Sequence, residues 1–166
     1  VSSHSLCQRR VEGLDFAVAA FTNLTQDHLD YHRTMENYRD AKGKLFVGLN
    51  KRATAVLNFD DPIGEYYARR TPAEVLGYSM KKHKKAELCA QVVSMDIHGT
   101  TFLVQSPWGS REVRWSMVGA HNIQNALAAL GASLALGCGN ARTFSFDNAL
   151  SALERFKGVP GRLEPV

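Results

Sequence analysis

The stretch Ala53-Thr-Ala-Val-Leu-Asn-Phe-Asp-Asp-Pro-Ile-Gly-Glu-Tyr-Tyr-Ala-Arg-Arg-Thr-Pro-Ala-Glu-Val-Leu-Gly-Tyr78 holds a strand, a capped helix start and a second strand in one run. Residues 53–59, apolar apart from Thr54 and Asn58, are of strand length and read as a buried strand. Asp61 followed by Pro62 supplies an N-cap and a first-turn proline, which predicts a helix to about Arg70. Residues 74–78 read as the next strand. Upstream the same pattern recurs. Residues 14–24 form an apolar run with a polar end, and a helix follows from an N-cap at Thr34 to about Leu49. This β-α-β-α-β rhythm predicts an α/β fold, a mostly parallel sheet flanked by helices, in which ligands gather at the carboxyl ends of the strands.

Beyond residue 80 the period changes. Residues 88–97, 100–106 and 111–116 alternate apolar and polar around His98-Gly99 and Pro107-Trp108-Gly109, which predicts a small antiparallel sheet. Two helices close the pattern. Residues 122–136 carry Ile123, Leu127, Leu130 and Leu134 on one face, and residues 146–155 carry Phe146, Leu150 and Leu153. Gly158 is the expected stop of the last helix.

The 166 residues, 45% hydrophobic and 22% charged, exclude a disordered chain and allow a single domain with a real core. The net charge of +4 is mild and suits a few phosphates as well as a nucleic acid. Cys7, Cys89 and Cys138 form no Cys-x-x-Cys pair, which disfavours a zinc site or a disulfide framework and predicts a reducing, cytoplasmic setting. No apolar run approaches the ~18 residues of a membrane span. The chain opens at Val1 without Met, as a segment of a longer protein would.

The densest chemistry lies in Thr22-Asn-Leu-Thr-Gln-Asp-His-Leu-Asp-Tyr-His32, directly after the first predicted strand. Asp27, His28, Asp30 and His32 are ligand or acid–base candidates, or the caps of a polar loop. The Glu of a His-Glu-x-x-His site is missing. Lys42 is a second anomaly, because the spacing of 35, 38, 42, 45 and 49 puts it on the apolar stripe of the Thr34 helix. Either its stem snorkels to the stripe's edge, or the amine is modified or faces a polyphosphate. The run Lys81-Lys-His-Lys-Lys85 is a solvated loop or a nucleic-acid contact, and no aromatic residues interleave it for stacking. Neither Gly-x-x-x-x-Gly-Lys-Ser/Thr nor Gly-x-Gly-x-x-Gly occurs.

These segments resemble the Mur ligases of peptidoglycan synthesis, and among them the enzymes that add the third residue of the stem peptide. The likeness is carried by Val1-Ser-Ser-His4 with Gln8-Arg-Arg-Val11, by residues 22–32, by Ala41-Lys42 with Leu45-Phe46, by Gly119-Ala-His-Asn-Ile-Gln-Asn125, and by Gly158-Val-Pro-Gly-Arg-Leu-Glu164. The resemblance implies ATP-dependent amide formation through an acyl phosphate, with Mg²⁺. The substrates it implies are UDP-N-acetylmuramoyl-L-alanyl-D-glutamate and an amino acid such as diaminopimelate or lysine. It further implies that Lys42 is carbamylated and, with His28, ligates magnesium, and that Ser2, Gln8 and Arg10 contact the UDP-muramoyl dipeptide. Asn122 would read adenine, and Arg162 would touch the nucleotide phosphates. Residues 1–166 would then be a central ATP-binding domain whose phosphate loop precedes Val1, with a UDP-binding N-terminal domain and an amino-acid-binding C-terminal domain outside the chain. The isolated chain would be inactive.

One departure stands out, since the family's Tyr-His-Gly turn is Tyr31-His32-Arg33 here. The alternatives are another Mur or folylpolyglutamate-type ligase, a non-catalytic nucleotide- or UDP-sugar-binding module, and a nucleic-acid-binding domain centred on residues 81–85.

Overall fold

In the computed structural model, residues 1–26, 29–137 and 145–158 are described. The elements run α1 (Ser3–Cys7), β1 (Val18–Phe21), a single turn α2 (Leu29–His32), α3 (Met35–Val47), β2 (Thr54–Asn58), α4 (Pro62–Ala68), β3 (Glu74–Ser79), β4 (Leu88–Asp96), β5 (Gly99–Ser106), β6 (Gly109–Trp115), α5 (Ala120–Gly137) and α6 (Phe146–Arg155). Sequence periodicity placed every strand and the four longer helices. The short α1 and α2 were not foreseen, because one or two turns leave too little periodicity to read.

All six strands belong to one sheet in chain order. β1, β2, β3 and β4 pair in parallel, and β4, β5 and β6 form the antiparallel meander. The expected antiparallel part is therefore continuous with the parallel part. Parallel neighbours normally need a crossover of about a dozen residues or more, yet β3 and β4 are joined by residues 80–87 alone. The register explains this: only Tyr78 and Ser79 pair, with Leu88 and Cys89, so β4 starts where β3 stops and runs onward in the same direction.

Side-chain alternation gives the sheet two apolar faces. Val56, Leu76 and Tyr78 point to one core with Ile123, Leu127 and Leu134 of α5 and Leu150 of α6. Ala55 and Leu57 point to the other, with Phe21, Phe46 of α3 and Tyr67 of α4. In the second core the Phe46 and Tyr67 rings stack at 4.8 Å, and Phe21 meets Tyr67 edge-on at 5.1 Å. Each such fully buried side chain stabilises the fold by roughly 1.5–3 kcal/mol before entropy is counted.

Both predicted N-caps are observed. Thr34 Oγ1 accepts the Asn37 amide at 3.2 Å, and Asp61 Oδ1 accepts the Ile63 amide at 2.9 Å. The inward face of α3 differs from the stripe that spacing suggested. Tyr38, Ala41, Gly43 and Phe46 are buried, whereas Met35, Lys42 and Leu45 are half-buried at its edge. Tyr67 causes the rotation: its ring stacks on Phe46, and a Cβ at Gly43 would lie 3.1 Å from it, so these residues, not Leu45, face α4.

Candidate functional site

The carboxyl ends of β1, β2 and β3 are tied together by side chains from β2 and the turn after it. Asn58 closes β2 and is 2% exposed. Its Nδ2 donates to the Thr22 carbonyl at 2.7 Å, and its Oδ1 accepts the Asp60 amide at 2.9 Å. The Asp60 carboxylate accepts from the Ser79 hydroxyl and from the Met80 and Lys81 amides. Asp61 Oδ2 accepts the Leu24 amide at 2.9 Å while its partner oxygen caps α4. The Tyr78 hydroxyl donates to the Phe21 carbonyl at 3.1 Å. Burial pushes that hydroxyl well above its ordinary range, and Asp60 and Asp61 add to the effect, so Tyr78 acts as a neutral donor. Together these groups fix residues 22–24, which precede His28 in sequence.

Lys42 reaches the same loop from α3. Its Nζ donates to the Asn23 carbonyl at 3.4 Å and sits 4.9 Å from the centroid of the Tyr38 ring. Lys42 is thus half-buried at the edge of the apolar face, with its amine over an aromatic surface at the carboxyl end of the sheet.

Ser2, Gln8 and Arg10 gather on the N-terminal segment. Ser2 is the N-cap of α1, its Oγ accepting the Ser5 amide at 3.1 Å, and Gln8 is the C-cap. Gln8 and Arg10 are exposed. The neighbouring Ser3 is buried and shares a 2.8 Å hydrogen bond with Nε2 of His32, itself 6% exposed. The His32 ring in turn stacks on Tyr38 at 5.1 Å with an interplanar angle of 23°. α1 is therefore docked on α2 and α3, which brings the three predicted substrate contacts to the side of the sheet that carries Lys42.

Asn122 stands apart from them, in the first turn of α5, which packs on the opposite face of the sheet. It is buried, and its Nδ2 donates to the Val118 carbonyl at 2.8 Å. A carboxamide retains a second N–H and an oxygen, the donor and acceptor that the N7 and N6 edge of adenine requires. His28 and Arg162 lie outside the described residues, as does Asp27. Among the described residues no three His, Cys, Asp or Glu side chains converge to hold a metal.

The basic run is a docked loop. Asp60 anchors its start through the Lys81 amide, His83 Nε2 lies 2.9 Å from Glu65 Oε1, and Lys85 Nζ lies 3.8 Å from Glu65 Oε2. A surface cavity of about 770 Å³ opens there, lined by Phe59, Asp60, Glu65, Tyr66, Arg70 and His83. Several of its charges are engaged by neighbours, as Arg70 is by the Tyr66 ring at 3.7 Å. Burial raises the Cys89 thiol above its ordinary range, which disfavours the thiolate.

Sequence reading missed the Asn58–Asp60–Asp61 group except as a cap, although polar residues abruptly ending an apolar strand were its visible signal. The Ser3–His32 pair joins positions 29 apart, and no local pattern announces it.

Residues 1–133 match the Mur ligase middle domain family. Over its full length the chain is 46% identical to UDP-N-acetylmuramoyl-L-alanyl-D-glutamate–2,6-diaminopimelate ligase of Geobacillus kaustophilus, of which it covers 34%. It is 43% identical to the ligase of the same name from Thermosynechococcus vestitus, covering 32% of that protein. A solved structure of a ligase of that name superposes on 98% of the chain with a TM-score of 0.79 at 32% identity, and the chain covers 32% of it. The chain spans about a third of the length of the relatives it matches.

Proposed function

The chain belongs to the Mur ligase family, and on that premise we propose that it is the central ATP-binding domain of a cytoplasmic ligase joining 2,6-diaminopimelate to UDP-N-acetylmuramoyl-L-alanyl-D-glutamate. The names of the relatives support both substrates. In the proposed reaction the terminal carboxylate of the dipeptide attacks the γ-phosphorus of ATP and ADP leaves. The amine of the incoming amino acid then attacks the acyl phosphate, losing a proton, and inorganic phosphate departs. Catalysis of this kind rests on alignment and charge neutralisation.

The observation that carries this reading is the meeting of Lys42 with the Asn23 carbonyl at the carboxyl end of the sheet. Asn23, of the segment at residues 22–32, and the lysine of the Ala-Lys pair, matched as separate sequence segments, are adjacent in space. In position Lys42 suits a metal-facing group, but in charge it does not, because an ammonium repels a cation. The role therefore requires a carbamate, formed when the neutral amine adds to CO₂ and releases a proton. Carbamylated Lys42 and His28 would hold Mg²⁺, which when bound neutralises phosphate charge. Asn122 holds adenine, Arg162 contacts the phosphates, and Arg10, with Ser2 and Gln8, grips the oxyanions of the UDP-muramoyl dipeptide through its two-pronged guanidinium.

Phosphate release by the full-length protein tests this reading. Release that depends on ATP, the UDP-muramoyl dipeptide and diaminopimelate together, with a product of the tripeptide's mass, is expected; absence of product with all three present overturns it. The 166 residues alone contain no phosphate-loop motif and are expected to release none.

A further inference from the structure

Three contacts form an unbroken path from the N-terminal segment to the Lys42 amine. Ser3 Oγ and His32 Nε2 share a buried hydrogen bond of 2.8 Å. The His32 ring lies nearly parallel to the Tyr38 ring at 5.1 Å. Tyr38 presents its face to Lys42 Nζ at 4.9 Å. His32 is also fixed from behind, because its carbonyl accepts the Thr34 amide at 2.8 Å and the Asn37 side-chain amide at 3.0 Å. These bonds hold the His32 backbone against the first turn of α3. Ser3 follows Ser2, the N-cap of α1, so one histidine touches both α1 and the Tyr38 ring, with His4 of α1 adding a ring contact to Tyr31 at 4.2 Å.

We propose that His32 is a positioning residue: held by Ser3 on one side and stacked on Tyr38 on the other, it sets the ring over which the Lys42 amine is placed and ties that placement to α1. This rests on the function proposed above for Lys42 and for the α1 segment, and it assigns to His32 no contact with substrate or nucleotide. Lys42 lacks a close anionic partner in the described structure; a 3.4 Å carbonyl and an aromatic face locate it. Movement of the Tyr38 ring therefore removes one of the two contacts that place the amine, whereas a lysine in a tight ion pair would stay.

Competitive acetylation of lysines in the full-length protein, read by peptide mass spectrometry without substrate, nucleotide or Mg²⁺, tests the proposal. Lys44, exposed on the same helix, is the internal standard. Ser3→Ala and His32→Ala each raise the Lys42 to Lys44 labelling ratio about fivefold, the factor that one net hydrogen bond represents. A general loss of structure would raise the ratio as well, but with faster amide exchange throughout α3, whereas the proposal expects the α3 amides to exchange at the parental rate. Should His32→Ala fail to fold, Ser3→Ala, which removes one oxygen, decides alone. An unchanged ratio in folded Ser3→Ala overturns the proposal. Because the readout needs no turnover, its failure is separable from failure of the ligase reading.

Discussion

The carboxylate of Asp61 holds Leu24 by its backbone amide at 2.9 Å with one oxygen while the other caps α4 at Ile63. One side chain thus joins the loop after β1 to the helix after β2. Asp61→Ala loses both bonds and is expected to destabilise the chain by about 2 kcal/mol. Asp61→Asn keeps an acceptor for one amide but turns an NH₂ toward the other, and should cost about 1 kcal/mol. Urea unfolding of the three proteins measures both; equal stability of Asp61→Ala and the parent would show that the bridge contributes nothing.

Arg33 adopts φ 66°, the left-handed region where a side chain is strained. It is the backbone that a glycine, which the resemblance places at this position, would adopt freely, so the arginine carries a conformational cost. Left-handed backbone costs an L-residue roughly 1–2 kcal/mol, and glycine's extra freedom in the unfolded chain returns part of that. Arg33→Gly is expected to stabilise by about 0.5–1 kcal/mol, seen as a rise in melting temperature.

Gly64 lies where a Cβ would stand 1.9 Å from the Asn58 carbonyl oxygen. The obstacle is backbone at the end of β2, so no rotamer change relieves it. Gly64→Ala should cost about 3 kcal/mol or more and loosen the α4–β2 junction. Amide exchange across residues 58–64 reads the effect directly.

Glu65 titrates below its ordinary value, chiefly through the Arg69 hydrogen bond, with Lys85 and His83 adding. A carboxyl lowered in the native state contributes its stability above the unfolded value near 4.5 and loses it as pH falls through the native value. The melting-temperature difference between the parent and Glu65→Gln should therefore be largest near neutrality and shrink as pH drops from about 5 to about 3. Added salt should shrink it as well, since Arg69 and Lys85 are exposed.

Strand–helix alternation was legible because apolar runs, the Asp61-Pro62 start and the Thr34 cap are local signals, and local signals set where elements begin. The inward face of α3 was not, because it depends on where the Tyr67 ring of α4 lies, which no spacing within α3 encodes. The lysine anomaly was visible for the same reason that its resolution was hidden: period placed Lys42 among apolar residues, but only the fold brings Asn23 and Tyr38 to it. Ser3 and His32 meet across 29 positions, and Asn58 is known as a tether only once Thr22 lies beside it.

Lys42, at the mouth of the parallel sheet, is proposed to serve the phosphoryl-transfer step. Ligation kinetics of Lys42→Ala in the full-length protein test it most directly, with circular dichroism confirming the fold. The account predicts that kcat falls by about 10²-fold or more, the loss seen when a charge-stabilising group is removed from such a site, while binding of the UDP-muramoyl dipeptide is kept. Ligation at the parental rate by folded Lys42→Ala would contradict it.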